Sequence, residues 1–283
     1  MRRIERLPTP QGIGPGQTAT LNLPLGTTYN RFDIRCNAQI GGAAKDLAAA
    51  DWGTVIGDIR LLVDGNTKIE ATADYLVKRA QFYGQTLEPG VLPIFLAQPW
   101  ARTVLGEDIS AYGTNGGMAS FTMEIDIKDA QTVNSLRVFA DQSPGRPFGK
   151  HLVIRRFAKS FAASGIDEVA DIPRGAHNLL GLDITDADVA DIEVFAGGSD
   201  GQSNRVHVSD APIRQQDHLI AGRVKQAGMT HIDFIPKDRI AVAMGDGSIQ
   251  AEALPMALSD FRVKLTFTSA PGTYAIYETT LMG

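Results

Sequence analysis

The amino-acid sequence predicts an all-β chain that contains two tandem eight-stranded jelly-roll barrels, each with one short helix in a long connection. Three observations predict this fold. The two halves of the 283-residue chain repeat the same short strings in the same order, alternating apolar and polar residues mark strands in both halves, and each half has one helical segment at the matching place. We therefore expect two domains, residues 1–145 and residues 146–283, each large enough to bury its own core.

The repeat begins with the first strand of each half, where Ile4-Glu5-Arg6-Leu7 recurs as Ile154-Arg155-Arg156-Phe157. The later matches, in chain order, pair Leu23-Pro24-Leu25-Gly26 with Ile172-Pro173-Arg174-Gly175, Phe32-Asp33-Ile34 with Leu182-Asp183-Ile184, Asp58–Leu61 with Asp191–Val194, and Phe121–Ile127 with Phe261–Phe267. Short apolar strings recur by chance, but so many matches in one order indicate a duplicated fold.

Alternation of apolar and polar residues predicts strands because successive side chains of a strand point to opposite faces. The predicted strands of the first half are Thr18–Leu23, Arg31–Cys36, Ile59–Val63, Phe121–Ile127 and Leu136–Phe139. Those of the second half are Val169–Ile172, Leu179–Ile184, Ile192–Phe195, Arg205–Val208, His231–Ile235, Phe261–Phe267 and Tyr274–Tyr277. Turns such as Asp64-Gly65-Asn66 separate them, as antiparallel connections require.

One helical segment interrupts the strands of each half. Apolar residues at helical spacing predict helices over Ala71–Tyr83 and Pro212–Ala227, closed by Gly84 and Gly228. An α/β enzyme would instead alternate strand and helix along its length. The order of strands, helix and strands therefore favours a jelly roll, and Ser143–Gly149 is predicted to be a short, stiff linker between the two copies.

Composition and charge exclude several classes of protein. No apolar run reaches the ~18 residues of a membrane span, and no apolar segment of a secretory signal follows the start, so we expect a protein made in the cytosol. The net charge of −5 argues against direct binding of nucleic acid, which needs clustered Lys and Arg. Cys36 is the single cysteine, so the chain can form no internal disulfide and we expect this thiol to be buried.

Positive charge is concentrated where each half begins. The first cluster is Arg2, Arg3 and Arg6, and the second lies within residues 150–159. If the two halves stack side by side, both clusters emerge on one face, which could meet an acidic surface such as lipid headgroups. The alternative is solubilising charge at the start of a strand.

The sequence contains no motif that carries catalysis. The five histidines, His151, His177, His207, His218 and His231, lack the local spacing of metal ligands, and only folding could bring His207 and His231 together. There is no Gly-x-Ser-x-Gly nucleophile elbow and no phosphate-binding loop. We therefore predict that the protein is not an enzyme, with no catalytic and no cofactor-binding residue.

Acidic residues form the one candidate metal site. Asp183, Asp186, Asp188 and Asp191 lie close together in a predicted loop between strands. Carboxylates at such spacing can bind a structural Ca²⁺ ion through hard oxygen ligands, although the glycine and the terminal glutamate of an EF-hand are missing. The alternative is a solvated acidic loop.

Three segments of the first half resemble a known family. They are Gln11–Ala19, Leu23–Tyr29 and Ile59–Gly65. They resemble the major capsid proteins of tailless, membrane-containing icosahedral phages of the corticovirus type, which have a double jelly-roll fold. The resemblance covers about the first 90 residues in sequence, and beyond them it is the shared plan of two tandem barrels.

The resemblance implies a structural virion protein. It implies a homotrimer whose six barrels form a pseudo-hexagonal capsomer, packed beside neighbouring capsomers in an icosahedral shell over an internal lipid membrane. Vertex proteins, membrane-associated virion proteins and the membrane itself would be further partners, and calcium would support virion integrity without any ligand being assigned in this chain. The protein would be synthesised in the cytoplasm of a host bacterium and would end in the virion capsid.

Contacts between copies would need exposed apolar segments. The candidates are Val91–Leu96 with Pro99-Trp100, and Ala251–Leu258, for which the barrel core is the alternative interpretation. The stretch Gly41–Trp52 has no counterpart in the second half and could form a loop or short helix that reaches a neighbour.

A carbohydrate- or receptor-binding β-sandwich protein, such as a spike or tail component, is the alternative function. It would need an exposed aromatic platform, for which Trp52 and Trp100 are the only tryptophans available. An enzyme built on two barrels would need converging carboxylates or histidines, of which the sequence gives no local sign.

Overall fold

The structure is a computed structural model that describes residues 2–101, 104–129, 131–174, 177–185, 189–197, 203–233, 242–243 and 260–283. The chain divides into two compact units, Met1–Arg155 and Arg156–Gly283. Each consists mainly of antiparallel strands. This is the class of fold that the alternating pattern predicted.

The first sheet of unit 1 is organised around one long strand. Its strands are β1 (Arg3–Arg6), β3 (Thr27–Ile40), β4 (Ala43–Asp46), β7 (Val91–Phe95), β8 (Tyr112–Gly113) and β10 (Val133–Pro144). β10 lies between β1 and β3, and β3 also pairs with β4, β7 and β8. Much of β3 alternates between buried and more accessible residues, because one face of the sheet packs on the core.

The second sheet of unit 1 has the strand order β2-β9-β5-β6. Its strands are β2 (Thr18–Asn22), β5 (Ile56–Val63), β6 (Asn66–Thr72) and β9 (Phe121–Ile127). Asp64 and Gly65 connect β5 to β6 with φ angles of 50° and 76°, as a two-residue hairpin needs. Phe121 of this sheet packs against Tyr29 of the first sheet, with ring centroids 5.6 Å apart.

Helix α2 (Ala73–Phe82) lies between β6 and β7 in the chain. Thr72 caps it, because its Oγ1 accepts a hydrogen bond from the N–H of Tyr75 at 3.2 Å. Gly84 follows its end with a φ of 76°, in agreement with the predicted stop. The apolar side chains of α2 face the interior and are buried.

The stretch without a counterpart in the second half packs on this helix. It contains β4, a 3-10 turn over Ala49–Asp51 and the short helix α1 (Trp52–Val55). Trp52 and Val55 are buried, and α1 contacts α2. A further short helix, α3 (Val104–Asp108), follows β7.

The segment that joins the two repeats is held against unit 1. Nη2 of Arg146 donates to the carbonyl oxygen of Ala111 at 2.6 Å. The N–H of Leu152 donates to the carbonyl oxygen of Ser110 at 3.1 Å. The compact units therefore divide after Arg155, further along the chain than the domain boundary expected from the sequence.

Unit 2 also has two sheets. The first has the order β16-β13-β19-β11 and contains β11 (His151–Phe161), β13 (His177–Thr185), β16 (Met229–Asp233) and β19 (Gly272–Met282), with β17 (Val242–Ala243) beside β13. The second has the order β12-β18-β14-β15 and contains β12 (Gly165–Val169), β14 (Val189–Gly197), β15 (Ser203–Asp210) and β18 (Asp260–Phe267). Leu182, Ile192 and Phe261 belong to the core between them.

The two units share one topology, which confirms the predicted double jelly roll. Four of the five repeated strings fall on equivalent strands: β1 with β11, β3 with β13, β5 with β14 and β9 with β18. Each unit thus has the two facing sheets of a jelly roll. The strand predicted over Val169–Ile172 was wrong in position, since β12 ends at Val169.

Helix α4 (Ala211–Ile220) occupies in unit 2 the place that α2 has in unit 1. Oδ1 of Asp210 accepts a hydrogen bond from the N–H of Ile213 at 2.8 Å and so caps the first turn. The helix ends at Ile220, and Gly222 follows with a φ of 72°. The prediction that it continues to Gly228 was wrong, because the chain reverses at the earlier glycine.

Candidate functional site

Two residues on neighbouring strands of the first sheet of unit 2 form a buried hydrogen-bonded pair. Asp183 of β13 lies directly opposite His231 of β16 in the antiparallel register. The Nδ1–H of His231 donates to Oδ1 of Asp183 at 2.8 Å, and both residues are buried. The carboxylate of Asp183 is therefore engaged with an imidazole from another strand.

The other members of the predicted calcium site are distributed differently. Asp191 is an exposed residue of β14, which belongs to the other sheet of unit 2. Asp186 and Asp188 lie outside the described residues. Within the described ranges, no group of three or more His, Cys, Asp or Glu side chains is arranged to hold a metal ion. The calcium site over these four aspartates stays a prediction.

The inner face of α4 is polar. Arg214 and His218, one helical turn apart, are the buried residues of this helix. Nη2 of Arg214 donates to the carbonyl oxygen of Val189 at 2.8 Å, and Nη1 lies 3.5 Å from the carbonyl oxygen of Ser209. Arg214 thus ties α4 to the ends of β14 and β15.

A pocket of about 550 Å³ lies beside this inner face. Arg214 and His218 line it from α4, and Lys225 and His231 line it from the segment that follows. Burial lowers the pKa of His218 to about 4, and the nearby His231 and Arg214 act in the same direction. Asp183 acts in the opposite direction, but burial dominates, so His218 is neutral near pH 7.

The outer face of α4 is apolar and exposed. Ile213, Leu219 and Ile220 are all more than half exposed, and Ile220 reaches 76%. The equivalent helix α2 buries Tyr75 and Leu76 in its own unit, where α1 covers part of it. The sequence has only three residues, 186–188, between β13 and β14, where unit 1 places α1. The apolar side of α4 is therefore a surface of the described chain.

Ion pairs occupy much of the positive charge at the starts of the two repeats. Arg2 bonds to Glu107 at 3.0 Å and also to Asp108. Arg3 lies 3.2 Å from Glu5. In the second cluster, Lys159 pairs with Asp171. These ion pairs favour the interpretation that the basic clusters are solubilising charge over the interpretation that they form a face for an acidic surface.

The residues proposed for sugar binding and for contacts between copies are mostly interior. Trp52 is buried, and Trp100 is half-buried and stacks on Tyr83 with ring centroids 4.0 Å apart. Leu92, Ile94, Phe95 and Leu96 are buried, as the barrel-core interpretation of that segment required. Ala251–Leu258 lies outside the described residues, and so does the side chain of His207.

Two further expectations concern the thiol and the membrane. Cys36 is fully buried, as predicted, and burial raises the pKa of its thiol to about 12. The helices of the described chain are all too short or too polar to cross a bilayer.

Sequence reasoning missed the basic lining of the α4 pocket. The available signal was the spacing of Arg214 and His218, which places both side chains on one helical face. The apolar residues of the same segment masked this signal, because an apolar helix face ordinarily packs inward.

Comparison with known proteins shows likeness to viral coat proteins. Residues 4–143 match the family described as "Viral coat protein P2 N-terminal domain". The chain is 22% identical over 205 residues to "Major capsid protein P2" of Pseudoalteromonas phage PM2, a match that covers 70% of this chain and 71% of the relative.

Solved structures extend the likeness to the whole chain. The crystal structure of the major capsid protein P2 from bacteriophage PM2 matches with a TM-score of 0.82 and 20% identity, over 100% of this chain and 97% of that one. The STIV MCP matches with a TM-score of 0.69 and 9% identity, over 100% and 97%. The PBCV-1 virus capsid matches with a TM-score of 0.58 and 10% identity, over 100% and 95%.

Proposed function

Because residues 4–143 belong to the viral coat protein P2 N-terminal domain family and the whole chain has the double jelly-roll fold, we propose that this phage major capsid protein builds its shell from homotrimeric capsomers. It is a structural protein of the virion capsid and not an enzyme. The observation that carries the proposal is the same two-sheet topology in both units.

The duplication gives a physical reason for a trimer. Three copies of a chain with two similar barrels present six similar flanks, and such a unit can fill a hexagonal net with one gene product. Closed cyclic symmetry also stops growth within the capsomer, whereas an open arrangement would form fibres. Neighbouring capsomers then meet through the outer flanks.

The outer face of α4 supports contact between copies. Ile213, Leu219 and Ile220 expose apolar surface on one side of a helix, and Val224 adds to it just beyond the helix end. Contiguous exposed apolar surface of this kind marks interaction sites in soluble proteins. A capsid protein assembles with copies of itself, so another copy is the partner that we propose for this face.

The proposal also includes an internal lipid membrane beneath the shell, together with vertex and membrane-associated virion proteins. It is supported by the likeness to a coat protein of the PM2 type. It does not rely on the basic clusters, because Arg2, Arg3 and Lys159 are engaged in ion pairs.

Light scattering coupled to size exclusion tests the trimer directly. We expect the purified protein to have three times the mass of the 30.4 kDa chain. Removal of calcium with a chelator tests whether the ion stabilises the contacts between copies. A monomer at every concentration, with and without the chelator, would overturn the capsomer proposal.

A further inference from the structure

Arg214 is a buried cation whose charge no contacting carboxylate neutralises. Among the described residues, its hydrogen-bond acceptors are two neutral carbonyl oxygens, those of Val189 and Ser209. Asp191 and Asp210 act on it electrostatically, but within the described parts of the chain neither forms an ion pair with it. A buried charge without a counter-ion is costly, so such a site gains stability when an anion arrives.

A second cation lies at the same pocket. Lys225 lines it and is exposed, and in the described portion of the chain it has no hydrogen bond or ion pair. His218 lines the same pocket, and the carboxylate of Asp183 is held by His231. The pocket thus combines one buried guanidinium with one accessible ammonium.

We propose that the pocket lined by Arg214, His218 and Lys225 binds a phosphate group. A guanidinium offers several donors in a planar fork that matches tetrahedral oxyanions, and an ammonium adds a point charge at the rim. The amide of Gln215 and the hydroxyl of Thr268 also line the pocket and provide neutral polar groups. This inference does not depend on the trimeric shell.

The pocket is larger than one inorganic phosphate. Its volume of about 550 Å³ falls within the range of small-molecule sites, so it has room for a phosphate ester and the group that it carries. Free phosphate and the headgroup of an anionic phospholipid share this chemistry. The two sources differ in what is attached to the phosphate, and the experiment separates them on that basis.

Isothermal titration calorimetry of the full-length protein tests the site, with inorganic phosphate as the probe and chloride at matched ionic strength as background. We expect saturable binding at one site per chain. Lys225→Gln removes one positive charge from the rim of the pocket and breaks no hydrogen bond within the described part of the protein. We expect it to weaken phosphate binding about tenfold. Lys150→Gln, an exposed lysine of unit 1, is the matched control and should leave the affinity unchanged.

A second variant tests the buried cation. Arg214→Gln should abolish saturable phosphate binding, and circular dichroism must show that the variant is folded. If it does not fold, Arg214→Lys keeps the charge and should bind phosphate more weakly than the wild type. Binding of phosphate that neither Lys225→Gln nor any folded Arg214 variant reduces would overturn the proposal.

Two further probes define the ligand. Dihexanoyl phosphatidylglycerol below its micelle concentration presents a lipid headgroup, so tighter binding than inorganic phosphate assigns the lipid source, and equal or weaker binding assigns free phosphate. Acetate tests the class of anion. An affinity for acetate equal to that for phosphate, or no saturable phosphate binding by the wild type, would overturn the assignment.

Discussion

His231 and Asp183 are 48 residues apart in sequence, yet the Nδ1–H of the imidazole donates to Oδ1 of the carboxylate at 2.8 Å. The pairing of β13 with β16 brings them together as opposite residues of one register. Both side chains are buried, so water does not replace the bond when it is broken. The pair therefore links the stability of unit 2 to a polar contact outside the apolar core.

Removal of the Asp183 carboxylate should destabilise the protein. Asp183→Ala leaves the buried Nδ1–H of His231 without its acceptor, and we expect a loss of about 1 to 3 kcal/mol in the free energy of unfolding. Urea denaturation followed by circular dichroism measures it. Asp191→Ala, an exposed aspartate of the same predicted calcium set, is the control and should change stability by less than about 0.5 kcal/mol. Equal effects would contradict a specific role of the pair.

Protonation of His218 should destabilise the fold in acid. Its folded pKa of about 4 lies below the ordinary value of 6.5, so the unfolded state binds the extra proton first. Stability is complete above pH 6.5 and falls as the pH decreases towards 4, by up to about 3 kcal/mol. The groups that set this pKa besides burial are His231, Arg214, Asp183 and Arg223.

Urea denaturation at a series of pH values measures this dependence. His218→Gln removes the titrating group, so the slope of stability against pH between 6.5 and 4 should become smaller than in the wild type. An unchanged slope in a folded variant would show that other groups cause the acid sensitivity.

The exposed face of α4 should control self-association. Ile220→Ser removes apolar surface from a residue that is 76% exposed, so the folded monomer should keep its thermal midpoint while the proposed trimer dissociates at higher protein concentration. Light scattering measures the mass. Ile166→Ser, at an isoleucine 62% exposed on β12, is the matched control. A trimer equally stable in both variants would exclude this face from the contact.

Calcium should stabilise the protein if the four aspartates form a site. We expect Ca²⁺ at one hundred times its dissociation constant to add about 2.7 kcal/mol of stability by mass action. The double variant Asp186→Asn/Asp188→Asn should lose this gain, whereas Asp171→Asn, an exposed aspartate elsewhere in unit 2, should keep it. A calcium-dependent thermal shift that survives in the double variant would place the ion at other residues.

Regular alternation made most of the fold predictable. The strands over Phe121–Ile127 and Phe261–Phe267 were recognised because their buried and accessible residues alternate, and both occupy the equivalent place in their units. The end of α4 was less predictable. Gly222 and Gly228 both have positive φ angles, and local sequence does not say which of them ends the helix.

The candidate sites were less predictable than the strands. The aspartates were selected because they are neighbours in sequence, but Asp183 and Asp191 belong to different sheets of unit 2. The basic pocket went unnoticed because Lys225 and Arg214 come from different segments. A ligand site depends on which side chains converge in space, and spacing along the chain reports this only within one helix or strand.

The sequence by itself determined the duplication, the strands and the double jelly roll, because the period of apolar residues sets which backbone conformation can bury them. Only the tertiary structure decided which face of each helix is buried. In unit 1, α1 contacts α2 and the apolar side of α2 is interior, whereas α4 buries Arg214 and His218 and exposes Ile220. The physical reason is that burial depends on the elements that cover a helix, and those elements come from distant parts of the chain.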